Sequence, residues 1–146
     1  MNAQSTIAIP LCDIRLPAAL DAVSAELSAL SEAIARASVR EDTRDDLMVV
    51  LAEVMNNIVL HAYGGGTGWI EVSVRRVTDR LEVETRDAGR PLPPVLLQGG
   101  TLPPEVEVPD DLPEGGFGWF LIHSLVNDMI YERAEGENRL SFSLAA

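Results

Sequence analysis

The stretch Glu53–Tyr63, EVMNNIVLHAY, decides how the rest of this 146-residue chain is interpreted. It lies on a predicted helix that begins near Asp45 and ends at the glycine run 64–66, which is a strong stop signal. Four apolar residues follow each other at steps of four, three and four along this helix: Leu47, Leu51, Val54 and Ile58. Glu53 and Asn57 are four positions apart, so they are neighbours on a helical face at the edge of that apolar stripe. A carboxamide oxygen can bind a hard cation and a free carboxylate can accept a proton, although a polar edge of an amphipathic helix explains such a pair more often than not.

Upstream of this helix, the sequence predicts a strand and a first helix. Residues 5–9 and 11–14 are typical of an opening strand that Pro10 interrupts. Pro17 suits the first turn of a helix. The apolar stripe of that helix has steps of three and four: Leu16, Leu20, Val23, Leu27, Leu30 and Ile34.

Downstream, apolar and polar residues alternate in two short runs that predict a hairpin. The first run has its apolar side at Ile70, Val72 and Val74, and the second has Leu81, Val83 and Thr85, with a turn at 78–80 between them. Asp87 continues the parity of the second apolar set, so its carboxylate is expected on the buried side. A charge at such a position needs a specific partner.

The last third of the chain changes character. Residues 90–114 hold seven of the nine prolines and predict a long functional loop or a mobile segment. A helix is then predicted over 119–126, directly after Gly116-Phe117-Gly118. A closing pair of strands is predicted over 127–133 and 139–144. The order of elements predicts one α+β domain over residues 1–146, with two layers: a mixed, mostly antiparallel sheet and helices on one of its faces.

Composition excludes several classes of function. All 11 basic residues are arginines, against 23 acidic residues, and the net charge is −12. Without lysine there is no Walker-A loop, no strand lysine of eukaryotic-type kinases and no Schiff-base chemistry, and the negative field disfavours nucleic acids. One cysteine and two histidines are too few for a disulfide or an ordinary zinc site. We expect a cytoplasmic protein that neither enters a membrane nor binds nucleic acid.

Three segments taken together carry a family resemblance. EVMNNIVLHAY at 53–63, DAGRP at 87–91 and EGGFGWFLI at 114–122 occur in this order on a helix, a strand end and a helix start. They resemble the N box and the two glycine boxes of the GHKL (Bergerat-fold) ATPase superfamily. Within it, the chain is similar to the bacterial anti-sigma-factor serine kinases, over nearly its whole length.

The resemblance implies roles for individual residues. Asn57 is expected to bind the Mg²⁺ that bridges the ATP phosphates, and Asp87 to accept a hydrogen bond from the adenine amino group. Glu53 is the expected general base. The resemblance also places Gly89 in a turn against the base and residues 90–114 in an ATP lid, and it assigns the phosphate-binding helix start to three residues: Gly116, Phe117 and Gly118.

The implied function is a serine kinase that uses Mg-ATP. Its expected substrate is a small anti-sigma-antagonist protein, its second partner a sigma factor or similar regulator, and its expected assembly a homodimer. Arg90 is the one basic residue at the lid, which favours an alternative: a non-catalytic protein of the same fold that sequesters a partner. A further alternative is a histidine-kinase catalytic domain. This alternative is disfavoured by the start at Met1 and by the lack of a phospho-accepting helical hairpin.

Overall fold

The computed structural model describes residues 7–93 and 116–146. Five strands form one sheet in the order β1-β2-β3-β5-β4, and every neighbouring pair is antiparallel. The strands are β1 (Ala8–Pro17), β2 (Trp69–Val77), β3 (Arg80–Asp87), β4 (Asn127–Ala134) and β5 (Glu137–Ala145). The helices are α1 (Leu20–Arg36), α2 (Glu41–Asn57) and α3 (Gly116–Leu125), and a π-helical turn over Ile58–Ala62 extends α2.

The core lies between the helices and one face of the sheet, as the sequence predicts. Alternate residues of the three central strands are buried there: Ile70, Val72, Val74, Leu81, Val83, Leu140, Phe142 and Leu144. They pack with the apolar stripe of α2. The opposite face of the sheet is polar and borders an open concavity of about 610 Å³. This two-layer α+β architecture directs the inward side chains of β3 and β5 towards α2.

Four predicted boundaries are wrong in detail. β1 runs through Pro10, because an edge strand with a register shift between Pro10 and Cys12 tolerates a missing N–H. Pro17 ends β1, and α1 begins at Leu20 instead. α2 begins four residues earlier than expected, at Glu41. Its first turn is held by Thr43, whose hydroxyl donates to the Ala145 carbonyl oxygen at 3.1 Å.

The fourth wrong boundary is the start of α3. The helix begins at Gly116 rather than Trp119, although glycine is a poor helix former. Of the predicted lid at 90–114, residues 94 onward lie outside the described residues. Within the described ranges, none of the helices combines the length and the apolar character needed to cross a bilayer.

Candidate functional site

Asn57 closes α2 and has an unusual environment for a carboxamide. Its side chain is 4% exposed, and its Nδ2 donates to the Glu53 main-chain oxygen at 2.7 Å. That bond fixes the orientation of the amide. Asn57 Oδ1 is buried, and no described residue donates a hydrogen bond to it. A buried acceptor without a donor is costly, so this oxygen is a strong candidate to contact a ligand.

Asp87 is the last residue of β3 and is buried, as its parity predicts. It is 5% exposed, and its Oδ1 accepts hydrogen bonds from the Gly89 N–H at 2.9 Å and from Asn138 Nδ2 at 2.8 Å. Burial raises the pKa of the Asp87 carboxyl above its ordinary value, and these two hydrogen bonds work in the opposite direction. Among the described residues, both bonds fall on the same oxygen of Asp87.

Asn138 is a site residue that the sequence reasoning missed. It lies opposite Asp87 in the β3–β5 register and is 3% exposed. Its Nδ2 donates to Asp87 and to the Arg90 carbonyl oxygen at 2.9 Å. Its Oδ1 accepts from Tyr131 Oη at 2.6 Å and from Arg133 Nη1 at 2.7 Å. The signal was available, because Asn138 shares the inward parity of Leu140, Phe142 and Leu144.

Tyr63 connects the end of the N box to the strand that carries Asp87. Its hydroxyl donates to the Trp69 carbonyl oxygen at 2.7 Å and accepts from the Ala88 N–H at 2.8 Å. A Cβ placed on Gly68 would overlap the Tyr63 ring. The tyrosine therefore fixes the position of the Asp87–Ala88 segment relative to α2.

Gly89 packs against the main chain of the π-helical turn. A Cβ at this position would lie 2.6 Å from the Ala62 carbonyl carbon and oxygen. The next residue continues this contact, since the Arg90 N–H donates to the Ala62 carbonyl oxygen at 2.7 Å and Arg90 Nη2 donates to the His61 carbonyl oxygen at 3.0 Å. The packing of Gly89 against Ala62 is sufficient reason for glycine here, before any ligand is considered.

Glu53 meets the third segment at Gly118. A Cβ on Gly118 would overlap the Glu53 carboxylate, so the two residues are in close contact. Gly118 lies in the first turn of α3, which begins at Gly116. Helix N-terminal N–H groups lack partners within the helix and favour anions. The structure thus places the predicted base beside the predicted phosphate-binding turn. The Phe117 side chain lies outside the description.

One small pocket joins all three segments. Its lining includes Asn57, Asp87 and Trp119, together with Tyr131 and Asn138. Glu53, Gly89 and Gly118 are not among its lining residues. The free volume is about 10 Å³, which is room for roughly one water molecule. This volume is much smaller than that of a purine base.

The residues present fit a cation that is shared with a phosphate ligand. Residues 7–93 and 116–146 contain no group of three or more His, Cys, Asp or Glu side chains that could hold a metal by themselves. Mg²⁺ is commonly bound by one or two protein oxygens together with substrate phosphates and water. Asn57 Oδ1 is a buried oxygen of that kind.

The sequence of this chain is similar to the sequences of known proteins. Residues 16–144 match the family model described as histidine kinase-like ATPase domain. The chain is 28% identical over 125 residues to serine-protein kinase RsbW of Bacillus mycoides (strain KBAB4). The aligned residues cover 85% of this chain and 78% of the relative. RsbW of Bacillus cereus (strain G9842) has the same identity and coverage.

A solved structure shows the same fold. It is the histidine kinase domain from the Erythrobacter litoralis EL346 blue-light activated histidine kinase, with a TM-score of 0.51 and 16% sequence identity. The match covers 84% of this chain and 60% of that chain. The chain therefore spans less than two thirds of that structural relative.

Proposed function

Because the chain belongs to the histidine kinase-like ATPase family, we propose that it binds Mg-ATP and transfers the γ-phosphate to a serine of a small protein. The observation that carries the proposal is the shared pocket of Asn57 and Asp87, in which Asn57 Oδ1 is buried and receives no hydrogen bond from the described part of the chain. Asp87 supplies a buried acceptor suited to the adenine amino group, and Asn57 supplies a neutral oxygen suited to a divalent cation.

The proposed chemistry needs positioning more than covalent assistance. Bound Mg²⁺ would neutralise phosphate charge. Glu53 takes the proton of the attacking serine hydroxyl while the serine oxygen–phosphorus bond forms and the bond between the γ-phosphorus and its bridging oxygen breaks, releasing ADP. The N-terminal turn of α3, which contacts Glu53 through Gly118, offers main-chain N–H groups to the phosphates.

The partners follow from the similarity to RsbW serine-protein kinases. We propose a small anti-sigma-antagonist protein as phosphate acceptor and a sigma factor or similar regulator as the competing partner. Competition of this kind would make the nucleotide state a switch between partners. We further propose that residues 1–146 form one kinase domain, that the protein is a homodimer and that it is located in the cytoplasm.

A non-catalytic, partner-sequestering role remains the second candidate because of one contact. The Arg90 guanidinium, which is the one basic group between residues 90 and 131, donates to the His61 carbonyl oxygen. The guanidinium thus lies at the C-terminal end of the π-helical turn, where its positive charge compensates the negative end of the helix dipole. A protein that only sequesters its partner needs no lid cation.

The test is calorimetry with ATP and MgCl₂, followed by transfer of labelled γ-phosphate to a purified antagonist protein. We expect Mg-dependent ATP binding and serine labelling. Asn57→Ala should lose the Mg-dependent part of the affinity, whereas the adjacent Asn56→Ala serves as control and should retain it. Binding without labelling supports the sequestering role. No heat with nucleotide and metal together contradicts the kinase, whereas a sequestering protein need not bind nucleotide.

A further inference from the structure

Trp119 holds a polar group that the proposed chemistry does not use. The residue lies in the first turn of α3, directly after Gly118, and it is 3% exposed. Its Nε1 is buried without a hydrogen-bond acceptor among the described residues. Indole N–H groups are donors only, and buried ones usually find an acceptor.

The surroundings of Trp119 indicate what the acceptor is. The side chain lines the same small pocket as Asn57, Asp87 and Asn138. The centroid of the His123 ring, one helical turn further along α3, lies 6.0 Å from that of the indole, at an interplanar angle of 43°. The described residues thus give this pocket acceptors at Asp87 and Asn57, and a donor, Trp119 Nε1, that has no acceptor among them. An adenine ring carries the complementary set, with an amino donor and ring-nitrogen acceptors.

We infer that the Trp119 indole N–H donates a hydrogen bond to a ring nitrogen of the bound adenine. Trp119 is then a specificity-determining residue that reads the base together with Asp87. The inference rests on the proposed function, since it needs a nucleotide in this pocket. Trp119 thereby gives α3 a direct contact with the base, in addition to the contact from Asp87.

The test uses the full chain and measures binding rather than turnover. Trp119→Phe keeps an aromatic ring and removes the N–H, so ATP affinity measured by calorimetry should fall about three- to tenfold, the effect of one hydrogen bond. Trp119→Leu reports the contribution of the ring itself. Unchanged affinity in Trp119→Phe together with a loss in Trp119→Leu overturns the inference, because packing alone then explains the residue.

A second measurement identifies the acceptor. ATP analogues with carbon in place of N1, N3 or N7 are titrated into the wild-type protein and into Trp119→Phe. One analogue should bind the wild-type protein more weakly than ATP does, yet bind Trp119→Phe as well as ATP does. Equal losses in both proteins for all three analogues contradict the contact.

A third readout uses fluorescence. The chain has two tryptophans, and Trp69→Phe leaves Trp119 as the only tryptophan while keeping a ring beneath the Arg15 guanidinium. Its emission should shift on addition of Mg-ADP, and an unchanged spectrum at saturation contradicts the inference. If ATP does not bind the wild-type protein at all, the proposed function itself fails. If ATP binds the wild-type protein and Trp119→Phe equally, only this inference fails.

Discussion

Asn138 on β5 donates a 2.8 Å hydrogen bond to the carboxylate of Asp87 on β3, and both side chains are at least 95% buried. The two residues are paired in register, so the bond spans a single rung of the sheet. Through its oxygen, Asn138 also holds Tyr131 and Arg133. One carboxamide therefore determines where the proposed adenine acceptor points.

Removing this carboxamide should weaken both the fold and nucleotide binding. Asn138→Ala removes one of the two hydrogen bonds to Asp87 Oδ1 and leaves the Tyr131 hydroxyl proton without its acceptor, which should lower the free energy of unfolding by about 2–3 kcal/mol. Urea denaturation measures this loss. Asn127→Ala is the matched control, because Asn127 is exposed and its carbonyl oxygen, not its side chain, accepts from Ser143. Equal stability of the two variants would show that the network is dispensable.

Asp87→Asn should separate stability from recognition. The new Oδ1 can still accept from Gly89 and Asn138, so the fold should be retained. The new amide N–H₂, however, offers a donor where the adenine amino group needs an acceptor. We expect ATP affinity to fall about 10- to 100-fold by calorimetry. A variant that binds ATP as tightly as the wild-type protein contradicts the assignment of Asp87.

The stability of the Asp87→Asn variant should also depend on pH in a defined direction. Burial raises the pKa of Asp87 above 3.8, so the native state binds this proton more tightly than the unfolded state does. Stability from this group is therefore present below pH 3.8 and is lost as pH rises through the raised pKa. Asp87→Asn should be at least as stable as the wild-type protein at pH 7. Its advantage should shrink towards pH 4, as followed by thermal unfolding, and an advantage that grows towards low pH contradicts the raised pKa.

The sequence predicted the order of elements and the burial of Asp87, because alternation and helical periodicity are local properties. The parity of Asn138 with Leu140 was available from the local pattern, but its pairing with Asp87 depends on the β3–β5 register, which local patterns do not contain. The role of Thr43 could not be predicted for the same reason, since its hydrogen bond to the Ala145 carbonyl oxygen joins residues more than 100 positions apart. The start of α3 was misplaced because glycine disfavours helices locally, whereas Gly118 packs against Glu53 in the folded protein.

Gly89 and Gly118 should respond differently to alanine. In Gly118→Ala the Cβ meets the Glu53 carboxylate, the end of a flexible side chain that can rotate away. The variant should be as stable as the wild-type protein or up to about 1 kcal/mol more stable, because alanine favours the helix. In Gly89→Ala the Cβ meets main-chain atoms of Ala62 at 2.6 Å, which cannot rotate away. That variant should lose stability in thermal unfolding, and equal melting temperatures for both variants would contradict the difference.

The contact between Glu53 and Gly118 also predicts a coupling in activity. Glu53→Ala should bind ATP within about threefold of the wild-type protein but transfer phosphate to the antagonist about 10²–10⁴-fold more slowly, the contribution expected of a general base. Gly118→Ala should slow transfer because it displaces the same carboxylate. Once Glu53 is absent, the added methyl has nothing to displace, so the double variant should be no slower than Glu53→Ala.

Labelled-phosphate transfer rates of the four proteins measure this coupling, with Glu32→Ala, an exposed position on α1, as control. Independent, multiplicative losses would mean that Gly118 acts through the phosphates rather than through Glu53. Undiminished transfer by Glu53→Ala would exclude this carboxylate as the base. Because calorimetry follows ATP binding in every variant, a loss of transfer with binding retained locates the defect in the chemical step.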